Sequence, residues 1–566
     1  DSTFFEMFRF DFAEGNPSKA LAQPNTMVIS EELARKIFGD RPASGQILRV
    51  SNNWFDGGEL DFTVSGVFRK PAAPTAFEGN FFLSLYSGNL GRYVSTNTNL
   101  VNNNMFSTYL LLQHNADGKI LEAKLPAFVE KHMGEALKKQ GWHKHQFLTR
   151  VPDVHLSGVG QKSIDFISGS KTYLYILGSV AIFTLLIACV NFINLSTARA
   201  ARRTKEVGVR KAVGANKSDL MRQFLGESLL ISLISWVLAL GLTQVLLPFF
   251  SRLTEQDLDF SAAEKPVLFA GFFGLALLTG GLAGIYPAFY LSSFQPTAVL
   301  KGPVSSSFSA AFLRKGLVVF QFVISVGLIL ASLVIGRQMR FLQSADLGFQ
   351  KEQQIVLPLM SSAAVAAFEP LKNNLLGDHR VEKVGASLYY PGIQNLSDVG
   401  LRREGQAVEL AVLTRRNFVD CDFLQTLKFK PVAGRLFSPD FPTDTVQKLI
   451  LNETAVRKCG FESAAAAVGQ KVVWTYQTRV FRYEILGVVK DFHFENLHEP
   501  IQSYAFELNR EQPLNYLIAR AEAGCDLAAL LAGIEQIWHE AVPGEPLEYS
   551  FLDEDFQKNY KSDRLM

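Results

Sequence analysis

No Asp, Glu, Lys or Arg interrupts the run from Tyr173 to Leu195, YLYILGSVAIFTLLIACVNFINL. A helix rises about 1.5 Å per residue, so this run can cross a hydrocarbon core of about 30 Å. The chain then turns basic at once: Arg199, Arg202, Arg203, Lys205, Arg210, Lys211 and Lys217 stand against a single acid, Glu206. A basic cluster that stops a membrane helix faces the cytoplasm. Every other segment can be placed relative to that anchor.

Three further apolar stretches, at 228–250, 266–291 and 316–336, are each near membrane-spanning length. The third span is rich in glycine, at positions 271, 274, 280, 281 and 284, which either permits close helix approach or simply reflects the higher glycine content of membrane helices. Between the second and third lies SRLTEQDLDFSAAEK, dominated by acids, and after the third comes QPTAVLKGPVSSSFSAAFLRK, with bases and no acid. The loop charges therefore predict that 199–217 and 292–315 are cytoplasmic. Residues 1–171, 251–265 and 341–566 fall on the opposite side. A net charge of only +2 across 566 residues argues against nucleic acid as a partner. The four cysteines, Cys189, Cys421, Cys459 and Cys525, form no C-x-x-C pair and no disulfide framework.

The expected organisation is α+β: a multi-pass helical membrane protein with two duplicated mixed α/β extracytoplasmic domains. The domains are 1–171, 172–340 for the membrane module and 341–566. In the first, Ser30 should cap a helix over 30–38 that ends at Gly39. Phe62–Phe68 and Ser107–Gln113 read as strands, Asn-rich turns fill 89–104, and Ile120–Lys139 reads as an amphipathic helix. The last domain repeats these features in order. Asp1-Ser-Thr-Phe matches Asp420-Cys-Asp-Phe, Gly15 matches Gly434, and VISEELARKIFG at 28–39 matches LILNETAVRKCG at 449–460. Gly45-Gln46 matches Gly469-Gln470, and FTVSGVFRK at 62–70 matches YEILGVVKD at 483–491. The parallels predict a helix at 452–459 and a strand at 483–489.

The densest motif is RRTKEVGVRKAVGANKSDLMRQFLGES, Arg202–Ser228. Glu206 and Arg210 stand four apart in the favourable acid-first order, and Gly208 and Gly214 mark close packing or a bend. Read on charge alone, the segment is a stop-transfer tail with a short surface helix. Together with VISEELARKIFG and GVVKDFHFENLHEP, in this order, it resembles the MacB/FtsX-like ABC transporter permeases, in the double-length form with two periplasmic core domains. The resemblance implies a coupling segment at 199–227, with Arg203, Glu206, Gly208, Arg210, Lys211 and Gly214 positioned for an ATPase, and Val207, Val209 and Val213 supplying apolar surface. It also implies a helix before residue 1 and three after Met566, so the chain is expected to be truncated at both ends.

GANKS, Gly214–Ser218, lacks the G-x-x-x-x-G-K-[ST] arrangement that aims backbone donors at phosphates. The resemblance thus implies a separate ABC ATPase subunit that binds ATP and Mg, with no cofactor in this chain. No nucleophile elbow or H-E-x-x-H pattern appears, and the His143/His145 and His493/His498 pairs read as surface or structural residues. A catalytic role is not expected. Asn191 and Asn194, three apart near the cytoplasmic end of the first span, can share a face and contact another helix. The expected function is a permease subunit in a bacterial inner membrane that couples ATP hydrolysis to its periplasmic domains for efflux or mechanotransmission. The alternative is a cell-envelope or cell-division scaffold that regulates a hydrolase without transport. A periplasmic adaptor or hydrolase, membrane lipid and a permease dimer or pseudo-dimer complete the expected partners.

Overall fold

The structure, a computed structural model, describes all residues except 53–54, 56–57, 72–74, 76, 78, 99, 102–105, 158–170, 255–257, 259, 261–264, 293–307, 446, 477–478, 498, 509–513 and 561–566. Side chains at 157, 197–205, 286–287, 290–291, 308–311, 313–314, 343–344, 442 and 445 also lie outside the description. The chain forms two units, one from Asp1–Gly169 with Ala345–Ser562 and one centred on Ser170–Ser344.

The first unit holds two sheets. The five-stranded sheet is built from β1 (Asp11–Gly15), β2 (Thr26–Ser30), β3 (Ile47–Ser51), β4 (Glu59–Arg69) and β5 (Phe81–Leu83), in the order β1-β4-β2-β5 with β3 also on β4. The eleven-stranded sheet contains β6 (Gln354–Pro358), β7 (Val381–Ser387), β8 (Asp398–Arg403), β9 (Val412–Val419), β10 (Pro431–Gly434), β11 (Lys448–Asn452), β12 (Lys471–Tyr476), β13 (Arg479–Val489), β14 (Tyr504–Leu508), β15 (Tyr516–Ala521) and β16 (Ser550–Phe551). Within it the path β10-β13-β11-β14, with β12 on β13, copies the smaller sheet strand for strand.

The copies agree in their irregularities as well as their order. In the parallel pair β2–β4, Met27 faces Val64 and Val28 faces Gly66, so Ser65 is skipped; in β11–β13, Leu449 faces Ile485 and Ile450 faces Gly487, so Leu486 is skipped. Asn25 and Gln447 both adopt positive φ, at 57° and 51°. Their main-chain oxygens accept from Thr63 and Glu484 at 2.9 Å each. Ser30 caps helix Glu31–Phe38 by accepting from the Leu33 amide at 3.2 Å, and Asn452 caps Glu453–Lys458 by accepting from Ala455 at 3.0 Å. Asp1 and Asp420 each accept from the amide two residues on, at 3.1 Å. Coincident bulges, caps and left-handed residues are a stronger signature of one repeated chain path than strand order alone.

Two expectations fail in the first copy. Ser107–Gln113 forms no strand. In the second copy the strand at the matching place, β15, lies between β6 and β7; Ser107–Gln113 has no such pair of neighbours among the described residues, and a strand exists only where a ladder satisfies its backbone. The Asn-rich stretch begins as a helix, Gly88–Thr96, whose Leu90, Tyr93 and Val94 supply apolar residues at helical spacing. No disulfide joins the four cysteines among the described residues.

The second unit contains four long helices, Lys171–Ala212, Lys217–Thr254, Pro266–Ser292 and Phe308–Ser344. Each carries a stretch long and apolar enough to cross a membrane: Lys171–Ser196, Lys217–Thr254, Pro266–Ile285 and Lys315–Leu342. The second and third pack through small residues. A Cβ on Gly280 would stand 2.8 Å from the Ser232 Cβ, and one on Gly284 would stand 2.7 Å from the Ser228 Cβ. Ser232 seals the contact by donating to the Ala276 carbonyl at 2.7 Å. Such close backbone approach drives helix association in lipid, where no hydrophobic gain remains between helices.

Candidate coupling hairpin

The basic motif is neither a separate surface helix nor a loose tail. The first long helix runs through it unbroken to Ala212, and the second begins at Lys217. Between them the Ala215 amide bonds the Arg210 carbonyl at 3.0 Å and the Gly214 amide bonds Lys211 at 3.1 Å. Gly214 takes φ +107°. These paired bonds with a glycine in positive φ are the helix stop that satisfies orphan carbonyls. The result is a helical hairpin that extends the first helix beyond its apolar span, which ends at Ser196.

The hairpin is stitched from inside. Val207, Leu220, Phe224 and Ala288 form one buried cluster, and Gly208 is buried beside it. Val207, at 2% exposed, is therefore core and not free surface; its position in the motif concealed that it faces the second and third helices. Val209 and Val213 are outward, Val213 at 84% exposed.

The charged residues make an ordered chain. Glu206 and Arg210 pair at 2.7 Å, and Arg210 also donates to the Gln223 side chain at 2.7 Å, across the hairpin. Gln223 in turn donates to Glu227 at 3.2 Å. Lys211 turns the other way, and its Nζ donates to the Ser292 main-chain oxygen at 2.7 Å, at the end of the third long helix. Of the expected site residues, Glu206, Gly208, Arg210, Lys211 and Gly214 thus lie on one hairpin. The Arg203 side chain lies outside the described residues. Gln223, Glu227 and Ser292 were not singled out from sequence. Gln223 sits one turn from Glu227 on a helix whose Leu220 and Phe224 repeat at core spacing, which is the signal that would have placed it.

Asn191 is exposed along the first helix, and Asn194 is half-buried with no partner for its Oδ1 among the described residues. A cavity of about 490 Å³ opens between the first three helices, with Cys189, Ser232, Trp236, Thr243, Phe272 and Thr279 on its wall. Among the described residues no group of three or more His, Cys, Asp or Glu side chains is arranged to hold a metal.

Residues 178–296, which include the hairpin, match the FtsX-like permease C-terminal family, and residues 1–127 match the MacB-like periplasmic core domain. The chain is thus similar at family level to the MacB/FtsX-like ABC permeases. It is 25% identical over 295 residues to the macrolide export ATP-binding/permease protein MacB of Bdellovibrio bacteriovorus, covering 52% of this chain and 40% of that protein. It is 26% identical over 307 residues to the probable syringafactin export ATP-binding/permease protein SyfD of Pseudomonas syringae pv. tomato, covering 53% and 41%. It is 35% identical over 134 residues to the pyoverdine export ATP-binding/permease protein PvdT of Pseudomonas savastanoi pv. phaseolicola, covering 23% and 19%. The chain spans less than half the length of these relatives.

Proposed function

We propose that the chain is a permease of an ABC-type export machine, in which a separate ATPase docks on the 206–223 hairpin and drives the extracytoplasmic domains. The observation that carries this reading is the hairpin's division of labour. Glu206, Arg210 and Lys211 are held by bonds within the hairpin and to the third helix, while Val209 and Val213 stand exposed. A hairpin stiffened internally can act as a lever, and exposed valines ringed by charge provide a surface that a partner's groove can cover.

In this reading residues 172–340 are the membrane module of a bacterial inner-membrane protein. Residues 1–171 and 341–566 are periplasmic copies of one core domain, and the working unit is a dimer or pseudo-dimer. ATP and Mg belong to the partner. Residues 199–217 are cytoplasmic, as the basic loops favour, and Arg203 lies on the same coupling segment. Asn191 and Asn194 supply polar contacts to a neighbouring helix within the membrane. The cargo class follows the relatives' export of small secreted compounds, by efflux or by transmitted motion.

The test is separate charge reversal, Glu206→Lys and Arg210→Glu. Each breaks the chain of bonds from Glu206 to Glu227 and should reduce ATPase co-purification or uncouple hydrolysis in vesicles while the chain still inserts. Normal association and coupling in both correctly inserted variants would remove the hairpin from the coupling role.

A further inference from the structure

The stretch that follows β13, Lys490–Glu499, reads KDFHFENLHE. Its described residues form neither helix nor strand, yet it is bonded on three sides. On one side lies the chain that leaves the fourth long helix. The His493 amide donates to the Leu347 carbonyl at 3.0 Å, and Lys490 pairs with Asp346 at 3.3 Å. Gly348 lies so close, at φ +87°, that a Cβ would stand 2.7 Å from the Asp491 carbonyl oxygen. Leu347 and Phe349 are buried, and the Phe349 ring sits 5.8 Å from Phe429 and 6.0 Å from Phe556.

On the second side lies the C-terminal helix Leu552–Lys558 and the turn after it. Tyr560 Oη accepts from the Leu497 amide at 2.6 Å. Asn559 donates to the Glu495 and Gly392 carbonyls at 2.8 Å each, and the Gly392 amide returns a bond to the Phe494 carbonyl at 2.8 Å. On the third side, Asp491 accepts from the Thr454 amide at 2.8 Å and its hydroxyl at 2.7 Å, while the Asp491 amide donates to Glu453 at 3.0 Å. That fixes the loop to the first turn of helix Glu453–Lys458. The first copy does this differently. Lys70 occupies the place of Asp491, and it pairs with Glu32, the counterpart of Thr454, at 2.8 Å. Lys70 leads into Pro71, so among the described residues the carboxylate-to-helix bonds of Asp491 belong to the second copy.

We infer that Asp491–Leu497 is a clasp that makes the segment leaving the fourth long helix, the C-terminal helix and the β13 core move as one piece. A loop with few bonds opens on its own, whereas one that satisfies three elements at once shares their stability. Loosening any one bonded side raises the opening of the other two, because they close on the same short stretch of backbone. The clasp thus fixes the 346–349 segment to the second domain, and its use in relaying motion from the membrane rests on the permease reading above.

The experiment is amide hydrogen exchange by mass spectrometry on the full chain in detergent, with Tyr560→Phe and Gly348→Ala. Tyr560→Phe keeps the ring and removes the acceptor for Leu497. Exchange should rise roughly fivefold at 493–497, the factor of about one net hydrogen bond, and should rise together at 345–350, on the other bonded side of the loop. Gly348→Ala should produce the reciprocal rise at 552–560. Should Gly348→Ala fail to fold, Tyr560→Phe alone decides. A rise confined to 493–497 and 552–560, with 345–350 unchanged, overturns the clasp. ATPase association of the unmodified chain is measured in parallel; its absence would sink the permease reading and leave the exchange result to judge the clasp by itself.

Discussion

Lys211 donates its ammonium to the main-chain oxygen of Ser292 at 2.7 Å, tying the last turn of the first long helix to the last residue of the third. A cation on the carbonyl end of a helix satisfies an orphan acceptor and the helix dipole together. Lys211→Met keeps the stem and removes the bond, so it should cost about 1 kcal/mol in denaturation of the detergent-solubilised chain. ATPase co-purification should persist, because the ammonium is engaged by the Ser292 carbonyl. Lost association with unchanged stability would make Lys211 a docking residue.

Gly280 and Gly284 should tolerate no larger residue. Leucine at either would drive a side chain into Ser232 or Ser228, which already stand under 3 Å from where its Cβ must lie. Overpacking of this kind costs about 1–3 kcal/mol. A disulfide between cysteines placed at 232 and 276 should form readily in the parent and poorly in Gly280→Leu. Equal cross-linking in both would show that the contact does not hold these helices together.

Gly15 and Gly434 take φ +88° and +68°, and a Cβ at either would stand 2.4 Å from the carbonyl oxygen of the skipped residue in the neighbouring strand, Ser65 or Leu486. Alanine at each site is expected to destabilise its own domain by more than about 1 kcal/mol. Regional hydrogen exchange should locate the two losses in 11–69 and 431–489 separately. An alanine tolerated in one copy alone would argue against an equivalent fold at that position.

Much of this was legible in the sequence because it is periodic or local. The four apolar runs, the caps at Ser30 and Asn452, and the repeated order of motifs all follow from spacing. What stayed hidden depends on residues distant in sequence. Ser107–Gln113 has strand composition but lacks the flanking strands that β15 finds in β6 and β7. Val207 looked like free apolar surface until Ala288, on the third long helix, proved to cover it. Glu206 with Arg210 could be read from a four-residue spacing, whereas Arg210 with Gln223 and Lys211 with Ser292 required the hairpin and the bundle to be built first.

Asp378 gives a pH signature. Hydrogen bonds from the Arg380 side chain, opposed by partial burial, hold its carboxyl down to about 2. The folded value is depressed, so the stabilisation is full above the unfolded carboxylate value of about 3.9 and is lost as pH falls through about 2. Asp378→Asn should therefore cost about 1–2 kcal/mol at neutral pH, and the difference should shrink as pH falls towards 2. Urea titrations of parent and variant at a series of pH values supply the comparison. A difference that stayed constant down to pH 2 would assign the loss to something other than the ion pair.

The central claim is that the Glu206–Gln223 hairpin carries the ATPase contact. With the four native cysteines replaced, Val213→Cys places a thiol at the exposed hairpin tip, and Leu258→Cys places one beyond the far end of the second long helix. Each variant is co-expressed with the ATPase and treated with a short thiol cross-linker in membranes. The account predicts a cross-linked permease–ATPase product from Val213→Cys and none from Leu258→Cys. A product from Leu258→Cys, with Val213→Cys silent, would contradict it.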